Sequence, residues 1–347
     1  MASSLGKRAL VGAMAAAALS APMVGLADTQ IIGAGSSFDF PFFSRAFYEY
    51  GRNHGGLTVN YQSIGSGGGI QQFTARTVDF GASDVPLSTK EEQAARDANG
   101  PVVQVPVALG GVVIAYNVPG APNHLHLSPD VLADIFLGQV TNWNDGAIRR
   151  LNPGARLPDL PIVVAHRADG SGTTYIFTDY LSTVSAQWKS RVGTNKTVNW
   201  PAQSSIGAKG NEGVAGQVRN SPGAIGYIEL AYALENDISY AALRNKAGRF
   251  VLPSTDAIRA AAAQKPNVNP NNFSIVDQPG NESYPICGYS WAMLWQNQAD
   301  RAKGRQLADL FRWLVSDGQS LAATVHYVAL PAVVGAEAQK QIAKLHV

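Results

Sequence analysis

Polarity along the chain alternates between two periods. Short β-branched runs lead into Gly/Ser turns, and the turns into segments whose apolar residues recur every three or four positions, the spacing of a helix face. Gln30-Ile31-Ile32 passes through Gly33-Ala34-Gly35-Ser36-Ser37 to Phe42, Phe43, Ala46, Phe47 and Tyr50. Leu57-Thr58-Val59-Asn60-Tyr61 passes through Gly65-Ser66-Gly67-Gly68-Gly69 to Ile70, Phe73 and Val78. Pro161-Ile162-Val163-Val164-Ala165 passes through Asp169-Gly170-Ser171-Gly172-Thr173 to Ile176, Phe177, Tyr180 and Leu181. Other helices are marked by their starts. Ser88 and Glu91 form a capping box, and Ser128-Pro129 puts proline at a first helical position. Leu307, Leu310, Phe311 and Leu314 mark a further amphipathic helix. Strands alternating with helices predict an α/β fold with largely parallel sheets.

Val102 to Asn117 reads as a long strand interrupted by Gly110-Gly111, with a second β-rich stretch, Cys287 to Trp295, running beside it. Two such crossing strands would join two lobes. The chain ends, 28–111 and 289–347, would form lobe I, and the middle, 112–288, lobe II.

The first 27 residues have the form of a cleaved secretory signal. Lys7 and Arg8 precede an apolar run from Ala9 to Ala21, and Gly25-Leu26-Ala27 offers a small-x-small cleavage site. A run of about 13 residues is too short for a bilayer, which needs about 20. The sole cysteine, Cys287, does not follow the leader, so a lipid or membrane anchor is not expected, nor a disulfide. It lies in a mixed apolar stretch and is expected to be a buried thiol. The leader carries two of the 27 basic residues and none of the 25 acidic ones, so the exported form is neutral. Nucleic-acid binding draws on clustered Lys and Arg, and no such cluster exists. An anion would have to be held by local geometry.

That geometry is available at the three Gly/Ser turns. A helix start leaves backbone N–H groups unpaired, and its dipole favours negative charge. Glycine admits close approach and Ser or Thr adds a hydroxyl, which suits a tetrahedral oxyanion. One such turn is weak evidence, since Ser and Gly commonly just cap helices; three in one chain are harder to dismiss. In the third, Arg167 stands at the strand end and can offer two parallel hydrogen bonds, with Asp169 placed to hold the guanidinium. The plainer alternative is a surface Arg–Asp pair beside a capped helix. Asp84, at a strand exit before Pro86, is the informative exception. A carboxylate accepts a hydrogen bond from a protonated oxyanion and repels a fully ionised one. A site built around such a bond can reject analogues lacking it by roughly 10⁴–10⁵.

These segments resemble the periplasmic phosphate-binding proteins of the bacterial phosphate-specific transport system. The resemblance rests on Gly33-Ala34-Gly35-Ser36-Ser37-Phe38, Gly65-Ser66-Gly67-Gly68-Gly69, Val78-Asp79-Phe80-Gly81-Ala82-Ser83-Asp84 and Arg167-Ala168-Asp169-Gly170-Ser171-Gly172-Thr173. Gly110-Gly111-Val112-Val113, Asp134-Ile135-Phe136-Leu137-Gly138, Ala208-Lys209-Gly210-Asn211-Glu212-Gly213 and Pro222-Gly223-Ala224-Ile225-Gly226-Tyr227 extend it over the exported chain. It implies a two-lobed periplasmic-binding-protein fold of type II. Each lobe would be a central, mostly parallel sheet flanked by helices, joined by two hinge strands. It implies that Ser37, Phe38 and Ser66 bind phosphate, with Ser36 adjoining. Asp84 would accept the phosphate proton, Arg167 pair with the anion, Asp169 steady it, and Ser171, Gly172 and Thr173 cradle the other oxygens. Ser37 stands where many relatives have threonine, and Gly67 where serine is common. No cofactor is implied. The partners would be inorganic phosphate and an inner-membrane ABC permease with its ATPase, served by a monomer in the periplasm.

Three other readings compete, one of them a structural or adhesive surface protein in which the Gly/Ser turns merely cap helices. A phosphoryl-processing enzyme would need a nucleophile elbow, a phosphate loop or a metal cluster, and none is recognisable in the sequence. The same fold tuned to sulfate is opposed by Asp84; arsenate, with the same protons as phosphate, is not.

Overall fold

The computed structural model describes residues 29–347. The expected leader, 1–27, lies outside them. The chain begins with β1 (Thr29–Gly35), α1 (Phe40–Asn53), β2 (Leu57–Ser63), α2 (Ser66–Thr74), β3 (Phe80–Ser83), α3 (Thr89–Asn99) and β4 (Val102–Tyr116). There follow β5 (His126–Leu127), α4 (Pro129–Phe136), α5 (Gly146–Leu151), β6 (Val163–Arg167), α6 (Gly172–Val184) and α7 (Ala186–Arg191). Next come β7 (Ser205–Ala208), α8 (Gly210–Asn220), β8 (Ala224–Glu229), α9 (Leu230–Glu235), β9 (Ala242–Arg244), β10 (Phe250–Val251) and α10 (Thr255–Ala263). The chain closes with β11 (Cys287–Trp295), α11 (Arg301–Leu314) and α12 (Ala332–Ile342).

Eight strands form one mixed sheet in the order β2-β1-β3-β11-β4-β8-β6-β7, and β10-β9-β5 form a small ribbon beside it. The three strands at either end are parallel to one another, as the strand–turn–helix pattern requires. Between them, β11 and β4 run antiparallel to their neighbours. The sheet is therefore two parallel sheets fused through a pair of antiparallel strands, the two-domain α/β architecture of periplasmic binding proteins.

The expected helix faces are the buried ones. Phe42, Phe43, Ala46, Phe47 and Tyr50 of α1 are buried, as are Leu307, Leu310, Phe311 and Leu314 of α11. Ser88 caps α3 in a complete capping box with Glu91. Cys287 is buried, and burial pushes its thiol up.

One expectation is corrected. Gly110-Gly111 does not interrupt β4, which is continuous over 15 residues. The glycines provide close approach instead: a Cβ at Gly110 would lie 2.8 Å from the Phe38 ring, and one at Gly111 2.9 Å from Ile258. At this same place β4 changes partner, pairing with β11 up to Gly111 and with β8 from Val112.

Pro106 is a second departure from regularity, since a proline in a central strand removes a ladder donor. The β4–β11 register shifts beside it, between Ser290 and Trp291. The extra residue of this bulge is Val107 in β4, and across from it Ser290 points towards Asp39 and Asp84 at the carboxyl ends of the strands.

Candidate functional site

The site is assembled from turns at the carboxyl ends of parallel strands, where open α/β sheets bind their ligands. Turn β1–α1 brings Ser36, Ser37, Phe38 and Asp39; turn β2–α2 brings Ser66; the exit of β3 brings Asp84. From the far end of the sheet, turn β6–α6 brings Arg167 to Thr173. Turn β7–α8 brings Asn211. Ser36, Ser37, Phe38, Ser66, Asp84, Arg167, Ser171 and Thr173 are each no more than 4 % exposed.

Glycine makes the approach possible. Gly65 starts α2 at φ +83°, and a Cβ there would collide with the Asp169 carboxylate from the other end of the sheet. The amide of Gly67 donates to Gly170 O at 2.8 Å, joining the two turns directly. A Cβ at Gly172 would lie 2.5 Å from Asp84 Oδ2 and 2.6 Å from Ser66 Oγ, so the start of α6 faces the acidic side of the site.

Arg167 sits under this helix start. Its Nε and Nη2 donate to the two oxygens of Asp169 at 2.7 and 2.5 Å, a bidentate pair. Its Nη1 faces Thr173 Oγ1 at 3.5 Å, and Thr173 Oγ1 lies 3.5 Å from Asp84 Oδ2. A fixed cation and a carboxylate thus face one another across a threonine hydroxyl. Burial opposes the Arg167 charge, but pairing with Asp169 more than offsets it and holds the guanidinium up. Burial likewise works against the Asp169 carboxylate, and Arg167 nevertheless holds it below the usual range.

Asp84 is different. Burial pushes it up to about 6, against hydrogen bonds from Ser36 and Ser290, the Arg167 charge and Thr173, which all favour ionisation. Ser36 Oγ donates to Asp84 Oδ1 at 2.5 Å. At neutral pH the group is a buried carboxylate with one well-satisfied oxygen, Oδ1, and the other, Oδ2, turned towards α6. The arrangement can take a tetrahedral anion on the Arg167 side and read a hydrogen on the Asp84 side.

A PBP superfamily domain model matches residues 21–318 of the chain. The phosphate-binding protein PstS of Xylella fastidiosa (strain 9a5c) is 45% identical over 307 residues, covering 88% of this chain and 82% of the relative. That of Pasteurella multocida (strain Pm70) is 43% identical over 314 residues, 90% and 89% of the two chains. This chain belongs to the PstS family of phosphate-binding proteins. Among solved structures, a periplasmic phosphate-binding protein bound with phosphate, PfluDING, superposes with a TM-score of 0.73. Its identity is 23%, with 90% of this chain and 93% of that one covered, so it speaks for the fold.

All ten residues singled out in the sequence of this PstS-family chain fall in the one cluster, though their donors are engaged differently. Phe38 N donates to Ser36 Oγ at 2.9 Å, and Ser66 Oγ accepts from Gly172 N at 3.0 Å and Asp84 N at 3.3 Å. Ser37 Oγ accepts from the backbone and side-chain N–H groups of Asn211, both at 3.0 Å. Ser171 is chiefly a cap: its hydroxyl oxygen accepts from Thr174 N at 3.0 Å and its amide donates to Lys196 O at 2.9 Å.

Sequence reasoning missed Asn211, Ser290 and Asp39. Asn211 is fully buried and also donates to Thr173 Oγ1 at 3.1 Å. Its signal was present, because Gly210-Asn211 follows a strand and opens a helix like the other turns. Ser290 was detectable only as a lone polar residue in an apolar strand. Asp39 follows the first turn between two phenylalanines, where an acid reads as an ordinary helix cap.

Proposed function

We propose that this protein captures inorganic phosphate in the periplasm and delivers it to an ATP-driven inner-membrane phosphate importer, acting as a binding protein and not an enzyme. The observation that carries the reading is the buried pairing of Arg167, held by Asp169, with Asp84 across Thr173. A dianion or monoanion of phosphate needs both a charge-matched donor fork and an acceptor for its proton, and this chamber holds both.

In this reading phosphate oxygens replace the serine hydroxyls as acceptors for Phe38 N and Gly172 N. Ser37, Ser66, Ser171 and Thr173 then turn hydroxyl hydrogens towards the anion, while Ser36 keeps its hydrogen on Asp84 Oδ1. Arg167 donates from the edge not used by Asp169. Asp84 Oδ2 accepts the phosphate O–H. Residues 28–111 with 289–347 form one lobe and 112–288 the other. They rotate about the place where β4 changes partner, and where Val112 N meets Ile286 O at 2.8 Å. Hinge closure of this kind assembles the site from both lobes. The leader directs export, and the closed monomer is what the permease and its ATPase recognise.

Titration calorimetry with phosphate and sulfate tests the reading. The wild-type protein should prefer phosphate by about 10⁴ or more, as expected where a buried acceptor would lose its donor. Asp84→Asn should narrow that ratio at least tenfold, since an amide can donate to an ionised oxygen. Equal wild-type affinity for the two anions would overturn it. Arsenate, which carries the same protons, should occupy the same site.

A further inference from the structure

Behind Asp84 stands a second acid. Asp39 is fully buried; it stands at the N-cap position of α1, but its side chain makes no hydrogen bond to the first turn, so the carboxyl does not cap that helix. Its Oδ2 lies 2.6 Å from Ser290 Oγ, and the same hydroxyl lies 2.9 Å from Asp84 Oδ1. Its Oδ1 lies 3.1 Å from the hydroxyl of Tyr61, which is also 2.8 Å from Ser36 O.

These contacts cannot all be made with the hydroxyl hydrogens present. Ser290 has one hydrogen and two carboxylate oxygens at bonding distance; Tyr61 has one hydrogen and two acceptors. Ser36 has already committed its hydrogen to Asp84. With both acids ionised, either Asp39 or Asp84 would face a serine lone pair at hydrogen-bond distance, and two like charges would share one hydroxyl. A single added proton on Asp39 Oδ2 resolves the Ser290 link, with Asp39 donating to Ser290 and Ser290 to Asp84 Oδ1, while Tyr61 donates to the nearer Ser36 O.

We infer that Asp39 is a neutral positioning residue which, through Ser290, keeps Asp84 ionised, saturates its Oδ1 and reserves its Oδ2 for the proton of the ligand. The inference rests on the phosphate reading of the same site. The groups facing Asp39 are Asp84, Ser290, Tyr61, Tyr232 and Tyr327, none of them cationic. Burial, followed by the Asp84 charge, pushes Asp39 well above the usual carboxylate range. The register shift of β4 at Val107, next to Pro106, falls beside Ser290, which stands between the two acids. Selectivity for a protonated anion then depends on a proton held one hydroxyl away from the group that touches it.

Infrared spectroscopy of protein labelled with ¹³C-carboxyl aspartate locates this proton without any ligand. At pH 7 a neutral aspartic acid carbonyl band should appear in the wild type, persist in Asp84→Asn and vanish in Asp39→Asn. The wild-type spectrum alone is decisive if a variant fails to fold, because no neutral aspartate band at pH 7 overturns the inference. A band lost in Asp84→Asn and kept in Asp39→Asn would overturn it too, by moving the proton to Asp84. Calorimetry supplies the second arm. Asp39→Ala and Ser290→Ala should each weaken phosphate binding about tenfold, as for one hydrogen bond to a charged group. Asp39→Asn, whose N–H can replace the carboxyl O–H, should restore most of the loss. Equal losses in Ala and Asn would show a merely structural role and refute the inference. A wild type that ignores phosphate would instead refute the functional reading, while the infrared result still reports where the proton lies.

Discussion

At the scale of single residues, the site sets one charge that is fully paired against one that is not. Arg167 engages Asp169 through Nε and Nη2, which leaves the Nη1 edge for a ligand. Lysine has no fork and cannot hold Asp169 and an anion in the same plane. Arg167→Lys should therefore weaken phosphate binding about 100-fold, the scale of one to two charge-assisted hydrogen bonds; a loss below about threefold in calorimetry would show that the fork is not used. Asp84 carries the opposite problem. Burial raises it from 3.8 to about 6. Between those values the folded chain holds a proton that the unfolded chain has lost, so stability falls as pH rises through this window. Above it the full cost remains, on the order of 3 kcal/mol for a two-unit shift. Asp84→Asn should thus raise the ligand-free unfolding temperature at pH 7 and change it little at pH 4. The acceptor proposed to distinguish ligands is one that the fold would be more stable without.

At the scale of elements, local signals and long-range pairings separate cleanly. The α3 capping box was legible because Ser88 and Glu91 are three residues apart, and in the structure Ser88 N donates to Glu91 Oε2 at 2.9 Å. The other oxygen of Glu91 takes Lys196 Nζ at 2.5 Å, from the loop after α7, whose carbonyl also receives the amide of Ser171. No sequence period announces a partner 105 positions away. The same division holds elsewhere. The Gly/Ser turns and the buried face of α1 follow from spacing alone. The passage of β4 through Gly110-Gly111 depends on Phe38 and Ile258 packing against it, and the register shift at Ser290 comes from the extra residue Val107 beside Pro106 in the neighbouring strand. Asp39 gave no signal of its own because its partner, Ser290, lies 251 positions further on. The Glu91–Lys196 pair is also a clasp between the two ends of the sheet. Lys196→Met should weaken phosphate binding by about two- to fivefold, as for a partly buried ion pair worth about 1 kcal/mol. The difference should shrink at high ionic strength, where such pairs are screened. An affinity loss that salt leaves unchanged would exclude an electrostatic clasp.

At the scale of the molecule, the two parallel ends of the sheet are connected twice, once through β4 and its neighbours and once across the cleft. The cleft contacts are narrow and backbone-rich: Gly67 N to Gly170 O, Gly172 N to Ser66 Oγ, Asn211 N to Ser37 Oγ, and Tyr232 to Ser37 O at 2.7 Å. Their closeness depends on residues without side chains. A Cβ at Gly170 would lie 3.1 Å from the Cα of Gly67, backbone against backbone, with no flexible group to yield. A bulky side chain there presses on the backbone of the other half and favours parting of the two halves. Each half keeps its own helices and strands, and the hinge proposed at Gly111–Val112, where β4 changes partner, would take up the rotation. Gly170→Phe should therefore leave circular dichroism unchanged while small-angle scattering reports a larger radius of gyration, with or without phosphate. If the wedge leaves the closed arrangement about 1% populated, apparent phosphate affinity should fall about 100-fold, because affinity scales with the competent fraction. An unchanged affinity in a visibly more open molecule would mean that one half of the sheet binds phosphate unaided, and that Arg167 and Asp84 need not meet on a single anion.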